Sequence, residues 1–250
     1  MDLILILFMN AWLIKLFTSI ITCAVSLSFA FAQQSKQLVV KKINASVGVD
    51  AKAVPALLDK NLVEYQAIDQ VNWEKFSYKP EVKFRIAHTG KEVLLHYKVT
   101  EQSVRAMAGS DNGPVWEDAC VEFFVSPTGD SCYYNFECNC TGKLLIQGGP
   151  KGDRPLAGKE VLAKVKRWTS LGGGIFEERV GTCTWEAALV IPVEVFFRQQ
   201  LTSLDGRVMK GNFYKCGDKL SAPHYLSWSP IDLPRPQFHC PQFFGLLKCE

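Results

Sequence analysis

Beyond residue 33 the chain is written in short apolar or alternating runs broken by Gly, Pro, Asn and Asp, and stretches with a helical period are scarce. Such a pattern predicts strands rather than helices. The runs 82–87 and 93–99, bridged by His88-Thr89-Gly90-Lys91, predict a hairpin in which Gly90 supplies the positive φ of the turn. Further strands are expected at 120–126, 133–139, 143–147, 161–167, 175–180, 184–191, 211–216 and 244–248. Two breaks, 53–62 and 193–200 after Pro192, suit short peripheral helices. So dense a series of strands favours an all-β fold, a β-sandwich of antiparallel strands.

The start of the chain follows a different rule. Residues 3–31 are almost wholly apolar, carry Lys15 as their one charge, and lead into Ala30-Phe31-Ala32, whose small residues suit a signal peptidase. This predicts a signal peptide over residues 1–32, cut after Ala32, with Met9 as an alternative start. The competing reading is a retained membrane anchor. A lipoprotein acylated at Cys23 is disfavoured, because Thr22 precedes it and apolar sequence continues past it. The expected destination is outside the cytoplasm: periplasm, cell surface or medium. Residues 33–250 are then expected to form a single domain.

Charge and cysteines narrow this picture. The chain carries a formal +3, which removing Lys15 and Asp2 with the leader does not change, and its basic residues form no stripe. Nucleic acid is therefore not an expected partner, and neutral ligands are as acceptable as charged ones. Cys120, Cys132, Cys138, Cys140, Cys183, Cys216, Cys240 and Cys249 make an even set in an oxidising compartment, so disulfides are open to them. Cys138 and Cys140 make poor partners, since residues two apart on a strand point the same way with Cα atoms about 7 Å apart. Buried free thiols are the competing reading. Without a Cys-x-x-Cys pair, a zinc site is not expected.

Two tryptophans stand where a ligand could reach them. Trp116 closes a loop of turn formers, Gly109-Ser110-Asp111-Asn112-Gly113-Pro114-Val115, just before the strand that begins near Cys120. Trp228 lies in Tyr225-Leu226-Ser227-Trp228-Ser229-Pro230, ahead of a stretch that Pro230, Pro234, Pro236 and Pro241 bar from a central strand. An indole can stack on the C–H face of a pyranose while the sugar hydroxyls seek polar partners at its edge. The alternative is that each anchors a loop or fills the core. Trp185, alternating with apolar residues in 185–192, is expected in the core, and Trp73 and Trp168 are expected to be structural.

At this point the residues carry a resemblance. Val115-Trp116-Glu117-Asp118-Ala119-Cys120-Val121-Glu122-Phe123-Phe124-Val125 resembles the signature strand of family nine carbohydrate-binding modules, here of the exported bacterial type. Tyr133-Tyr134-Asn135-Phe136-Glu137-Cys138-Asn139 resembles that family's next strand, 185–192 its strand ending in Ile-Pro, and Ser227-Trp228 with Phe243-Phe244-Gly245-Leu246 its closing segment. The likeness spans about residues 65–250. It implies a β-sandwich in which Trp116 and Trp228 clamp a terminal sugar unit and Glu122 hydrogen-bonds its hydroxyls. It also exposes a departure: Glu137 stands where better known members carry an arginine. Asn135, Asn139, Lys215 and Asp218 are the expected replacements for the lost polar contacts.

The resemblance implies binding of mono-, oligo- or polysaccharide ends, with separate glycoside hydrolases as partners. No cofactor is expected. Calcium, which some members bind, lacks a clear ligand loop, because Asp111, Asp130 and Asp153 are isolated. Three other functions compete. A glycoside hydrolase needs two carboxylates about 5 to 9.5 Å apart. Asp118 and Glu122 share a strand face at roughly 13 Å, and Glu117 and Glu122 face opposite sides. A hydrolytic triad could draw on His88, His96, His224 or His239, but no serine lies in a Gly-x-Ser-x-Gly elbow. A haem or redox module would have to use Met107, Met209 and His224. A purely structural surface protein is the last alternative.

Overall fold

The computed structural model describes residues 36–250. The expected leader lies outside them. Among the described residues no helix is long and apolar enough to cross a membrane.

Thirteen strands dominate the regular structure of the described chain. They are β1 (Gln37–Lys42), β2 (Gln66–Ala67), β3 (Gln70–Val71), β4 (Glu81–His88), β5 (Glu92–Ala106), β6 (Cys120–Ser126), β7 (Tyr133–Asn139), β8 (Leu144–Gly149), β9 (Lys166–Thr169), β10 (Phe176–Pro192), β11 (Val208–Cys216), β12 (Tyr225–Ser227) and β13 (Gly245–Cys249). Their hydrogen bonds form a curled sheet in the order β8-β7-β6-β11-β13-β1-β4-β5-β10-β9. β1 is the hinge of the curl. Gln37 to Val40 pair with β13, whereas Lys41 and Lys42 pair with β4. Both pairings of β1 are parallel, and the other ladders are antiparallel. The all-β sandwich expected from the pattern is thus the architecture found, with a parallel seam at β1.

The two halves of the curl face each other across one hydrophobic core. Phe84 on β4 stacks on Phe213 of β11 at 3.7 Å between ring centroids, and the Tyr97 hydroxyl on β5 donates to the Glu122 carbonyl on β6 at 2.8 Å. Each fully buried phenylalanine stabilises by about 1.5–3 kcal/mol. Alternation decides what goes where. On β6, Val121, Phe123 and Val125 enter the main core, so Cys120, Glu122 and Phe124 point outward. The outward set is buried as well, because the proline-rich segment 230–241 folds over that face and builds a second aromatic cluster from Trp73, Phe124, Tyr133, Tyr214 and Phe244.

The β4–β5 hairpin forms as expected, with Gly90 at φ 86°. Three local expectations differ. Residues 161–167 are not a strand. They split between helix α2 (Lys159–Leu162) and β9, because Val161, Leu162 and Val165 share one helical face and bury it in the core. The two strands expected at 175–180 and 184–191 are one, β10, whose break is a bulge: its pairing with β5 shifts between Val180 and Cys183, beside Gly181 at φ 135°. The helix expected at 53–62 is a 3-10 turn followed by α1 (Val54–Lys60), while 193–200 holds only the 3-10 turn Val193–Val195.

Candidate functional site

The outward face of β6, β7, β8 and β11 carries a pocket of about 280 Å³, close to the lower limit of roughly 300 Å³ usual for ligand sites. Register sets its floor. Glu122 on β6 stands directly opposite Glu137 on β7 and Tyr214 on β11, and Glu137 stands opposite Leu145 on β8. Trp116, Asp218 and Tyr225 line its side, with Asp218 against Tyr225, and the segment Pro236, Gln237, Phe238 and His239 completes the lining.

Trp116 sits on the 3-10 turn Val115–Glu117 and is 38% exposed, although its neighbours on the sheet are buried. Asp118 fixes that turn. Its fully buried carboxylate accepts from the Arg105 guanidinium at 2.8 Å, the Met107 and Ala108 amides at 2.8 and 2.9 Å, and the Asn139 side chain at 2.9 Å. A second tie runs to the loop after β11, where the Asp218 amide donates to the Trp116 carbonyl at 3.2 Å and Lys219 pairs with Glu117 at 3.1 Å. The indole is therefore held at the rim by its backbone and leaves its ring free.

The proline-rich part of the lining is rigid for a different reason. Phe238 stacks on Tyr214 at 4.2 Å and lies within 6.2 Å of Trp73 and Tyr225. Trp73 secures the segment by donating its indole N–H to the Leu233 carbonyl at 2.7 Å. His239 packs on Phe124 and shares a 3.2 Å hydrogen bond with the Tyr133 hydroxyl.

The floor is acidic. Glu122 accepts a 3.0 Å bond from the Cys216 thiol, and Glu137 accepts one from the Asn135 amide at 2.8 Å. Burial, reinforced by Cys216 and Glu137, holds the Glu122 carboxyl well above the usual range. Burial also pushes Glu137 up to about 7 against the pull of the Asn135 bond, and pushes Asp218 up to about 6. A cation lies beside the floor, on the loop after β8. Arg154 lies 3.5 Å above the Tyr133 ring, donates to the Tyr133 and Gly149 carbonyls at 2.6 and 2.8 Å, and reaches Asn135.

The structure brings Trp116, Glu122, Glu137 and Asp218 together, with Asn135 beside them. Three other expected residues lie elsewhere. Trp228 follows β12 on a loop, but its side chain is 2% exposed and meets Phe84 and Phe213 edge-on in the main core. It cannot form the second wall of this pocket. Lys215 is on the opposite face of β11 from Tyr214 and Cys216, fully buried, paired with Glu101 at 2.9 Å and donating to His224 at 2.7 Å. Burial and the Lys215 charge hold that histidine neutral, with its pKa lowered to about 2. Asn139 caps the β7–β8 turn, accepting from Thr141 and Lys143, and so serves the backbone rather than the pocket.

Phe238, His239, Tyr225, Gln147 and Arg154 were not expected. Phe238 and His239 stand in an aperiodic proline-rich segment, and Arg154 in a glycine-rich loop, where no spacing tells which way a side chain points. Among the described residues, the cluster with metal-ligating geometry is Cys120, Glu122 and Cys216, whose ligand atoms lie within 4.8 Å of one another beneath the pocket. Burial raises both thiols, which opposes the thiolate a metal requires. The eight described cysteines are free thiols. Asp111, Asp130 and Asp153 are engaged by Arg167, the Cys132 amide and Arg198 respectively. Met209 and His224 cannot share a haem. His224 packs beside Lys215, six residues along β11 from Met209, or about 20 Å.

With this geometry in place, comparison with known proteins is informative. The sequence model of carbohydrate-binding family 9 matches residues 52–249. A solved protein from Bacteroides uniformis, provisionally named as carbohydrate-binding, is 64% identical, with a TM-score of 0.86 over 87% of this chain and 100% of that one. Two solved family 9 modules from Caldicellulosiruptor kristjanssonii, one in complex with glucose and one with cellotriose, share the fold at a TM-score of 0.51 and 14% identity. Each aligns over 86% of this chain, covering 96% and 94% of theirs. No curated protein sequence matches.

Proposed function

The chain belongs to carbohydrate-binding family 9, and on that premise we propose that it binds a sugar unit in the pocket beneath Trp116 without cleaving it. The observation that carries the reading is the exposed indole of Trp116 standing at the rim over two buried, directly opposed carboxyl groups. The indole offers a flat apolar face to the ring's C–H groups, and Glu122, Glu137, Asp218 and Gln147 offer polar atoms to its hydroxyls. Tyr225 and Phe238 supply the second aromatic wall in place of Trp228. Export, and service beside separate enzymes that degrade a polysaccharide, complete the proposal.

A hydrolase reading draws on one observation, the juxtaposition of Glu122 and Glu137 at the roughly 4.5–5.5 Å Cβ spacing of a cross-strand pair. Such a juxtaposed pair is what a retaining mechanism would draw on, but its ionisation opposes it. Burial raises both carboxyls above the ordinary range, which disfavours the ionised nucleophile that such a mechanism requires. The test is isothermal titration with neutral mono- and oligosaccharides beside a reducing-sugar assay of the same mixtures. Saturable heat without new reducing ends is expected, and release of reducing ends would overturn the non-catalytic reading.

A further inference from the structure

The floor of this pocket is richer in acidic groups than recognition of a neutral sugar requires. Glu122, Glu137 and Asp218 line it, and no lysine or arginine does. Glu122 is 3% and Glu137 5% exposed, yet each has a carboxyl oxygen with no hydrogen-bond partner among the described residues: the Cys216 thiol and the Asn135 amide each reach only one oxygen. Like-charged groups directly opposite on neighbouring strands destabilise a sheet unless a proton or a cation sits between them. Arg154 does not fill that role. Its guanidinium is spent on Tyr133, Gly149 and Asn135 and makes no ion pair with Glu137.

We infer that the preferred ligand carries a free primary amine on its sugar ring, a 2-amino-2-deoxy pyranose, whose ammonium group rests between Glu122 and Glu137. This rests on the pocket being the sugar site proposed above, and it names the ligand class. The ammonium brings the missing positive charge and three donors, enough to meet both open carboxyl oxygens. The exposed indole at the rim offers its flat face to the C–H groups of the same ring. Charge also balances. In the empty pocket the carboxyl pair holds a proton in place of a cation, burial having raised both groups, and the arriving ammonium displaces that proton to the buffer.

The experiment is isothermal titration of the protein near pH 6 with three disaccharides: the β-1,4-linked glucosamine dimer, its N-acetylated form, and cellobiose. Running each in two buffers of different ionisation enthalpy counts the protons exchanged. The glucosamine dimer should bind at least about tenfold more tightly than the other two, with release of up to about one proton that the others do not show. Glu137→Gln should reduce its advantage over cellobiose to about twofold or less. Cellobiose binding as tightly as the glucosamine dimer to the unaltered protein would overturn the amine inference and leave the sugar site standing. Binding of none of the three would overturn both.

Discussion

Glu122 and Glu137 face each other across neighbouring strands, both nearly excluded from solvent, with a thiol on one side and an amide on the other as their only donors among the described residues. Groups that face Glu137 from the surrounding elements are Glu122 on β6, Cys216 on β11, Asp218 after it, Arg154 from the loop after β8 and His239 from the proline-rich segment. Burial, reinforced by the Asp218 charge, outweighs the Asn135 bond and the Arg154 charge and lifts Glu137 from its ordinary 4.5 to about 7.

A carboxyl raised on folding binds more protons folded than unfolded, so its contribution to stability is fully present below pH 4.5 and is lost as the pH rises toward 7. Urea midpoints measured across that window should fall with rising pH, and Glu137→Gln should flatten the slope. A variant with the same slope as the parent would show that the carboxyl titrates normally.

Trp228→Ala should act on folding. The side chain fills the core between Phe84 and Phe213, so its removal should cost about 3–5 kcal/mol, read as a lowered urea midpoint. Near-native stability would return the residue to the surface role first expected of it.

Asp118→Asn should damage both stability and binding without touching a ligand. The carboxylate holds Arg105, two backbone amides and Asn139 at once, and the neutral amide leaves a buried guanidinium contact and one acceptor position unmet. A loss of about 3 kcal/mol is expected, with sugar affinity falling as the Trp116 turn loosens. Unchanged stability would mean the turn is held by the Asp218 and Lys219 contacts alone.

How much of this was legible depended on periodicity. Alternation along 120–126 reports which residues share a face, so Glu122 and the strand carrying it were readable, and the turn formers before Trp116 told of its exposure. Lys215 shows the limit of reading polar residues without register. Pairing of Glu122 with Tyr214 puts the lysine on the inward face, which only the β6–β11 ladder reveals. Trp228 teaches a related lesson, since a loop position fixes the backbone and not the direction of an indole. The wall at Phe238 and the placement of Arg154 come from segments whose geometry is set by prolines, glycines and tertiary contact. Neither leaves a repeating trace in sequence.

The measurement that bears most directly on the account is calorimetric titration of the glucosamine dimer and cellobiose into the parent protein and Trp116→Ala, with thermal unfolding of each recorded alongside. The account predicts saturable binding by the parent and a loss of about 2 kcal/mol, roughly 30-fold, in the variant, at an unchanged melting temperature. Equal affinity in the two proteins would contradict it.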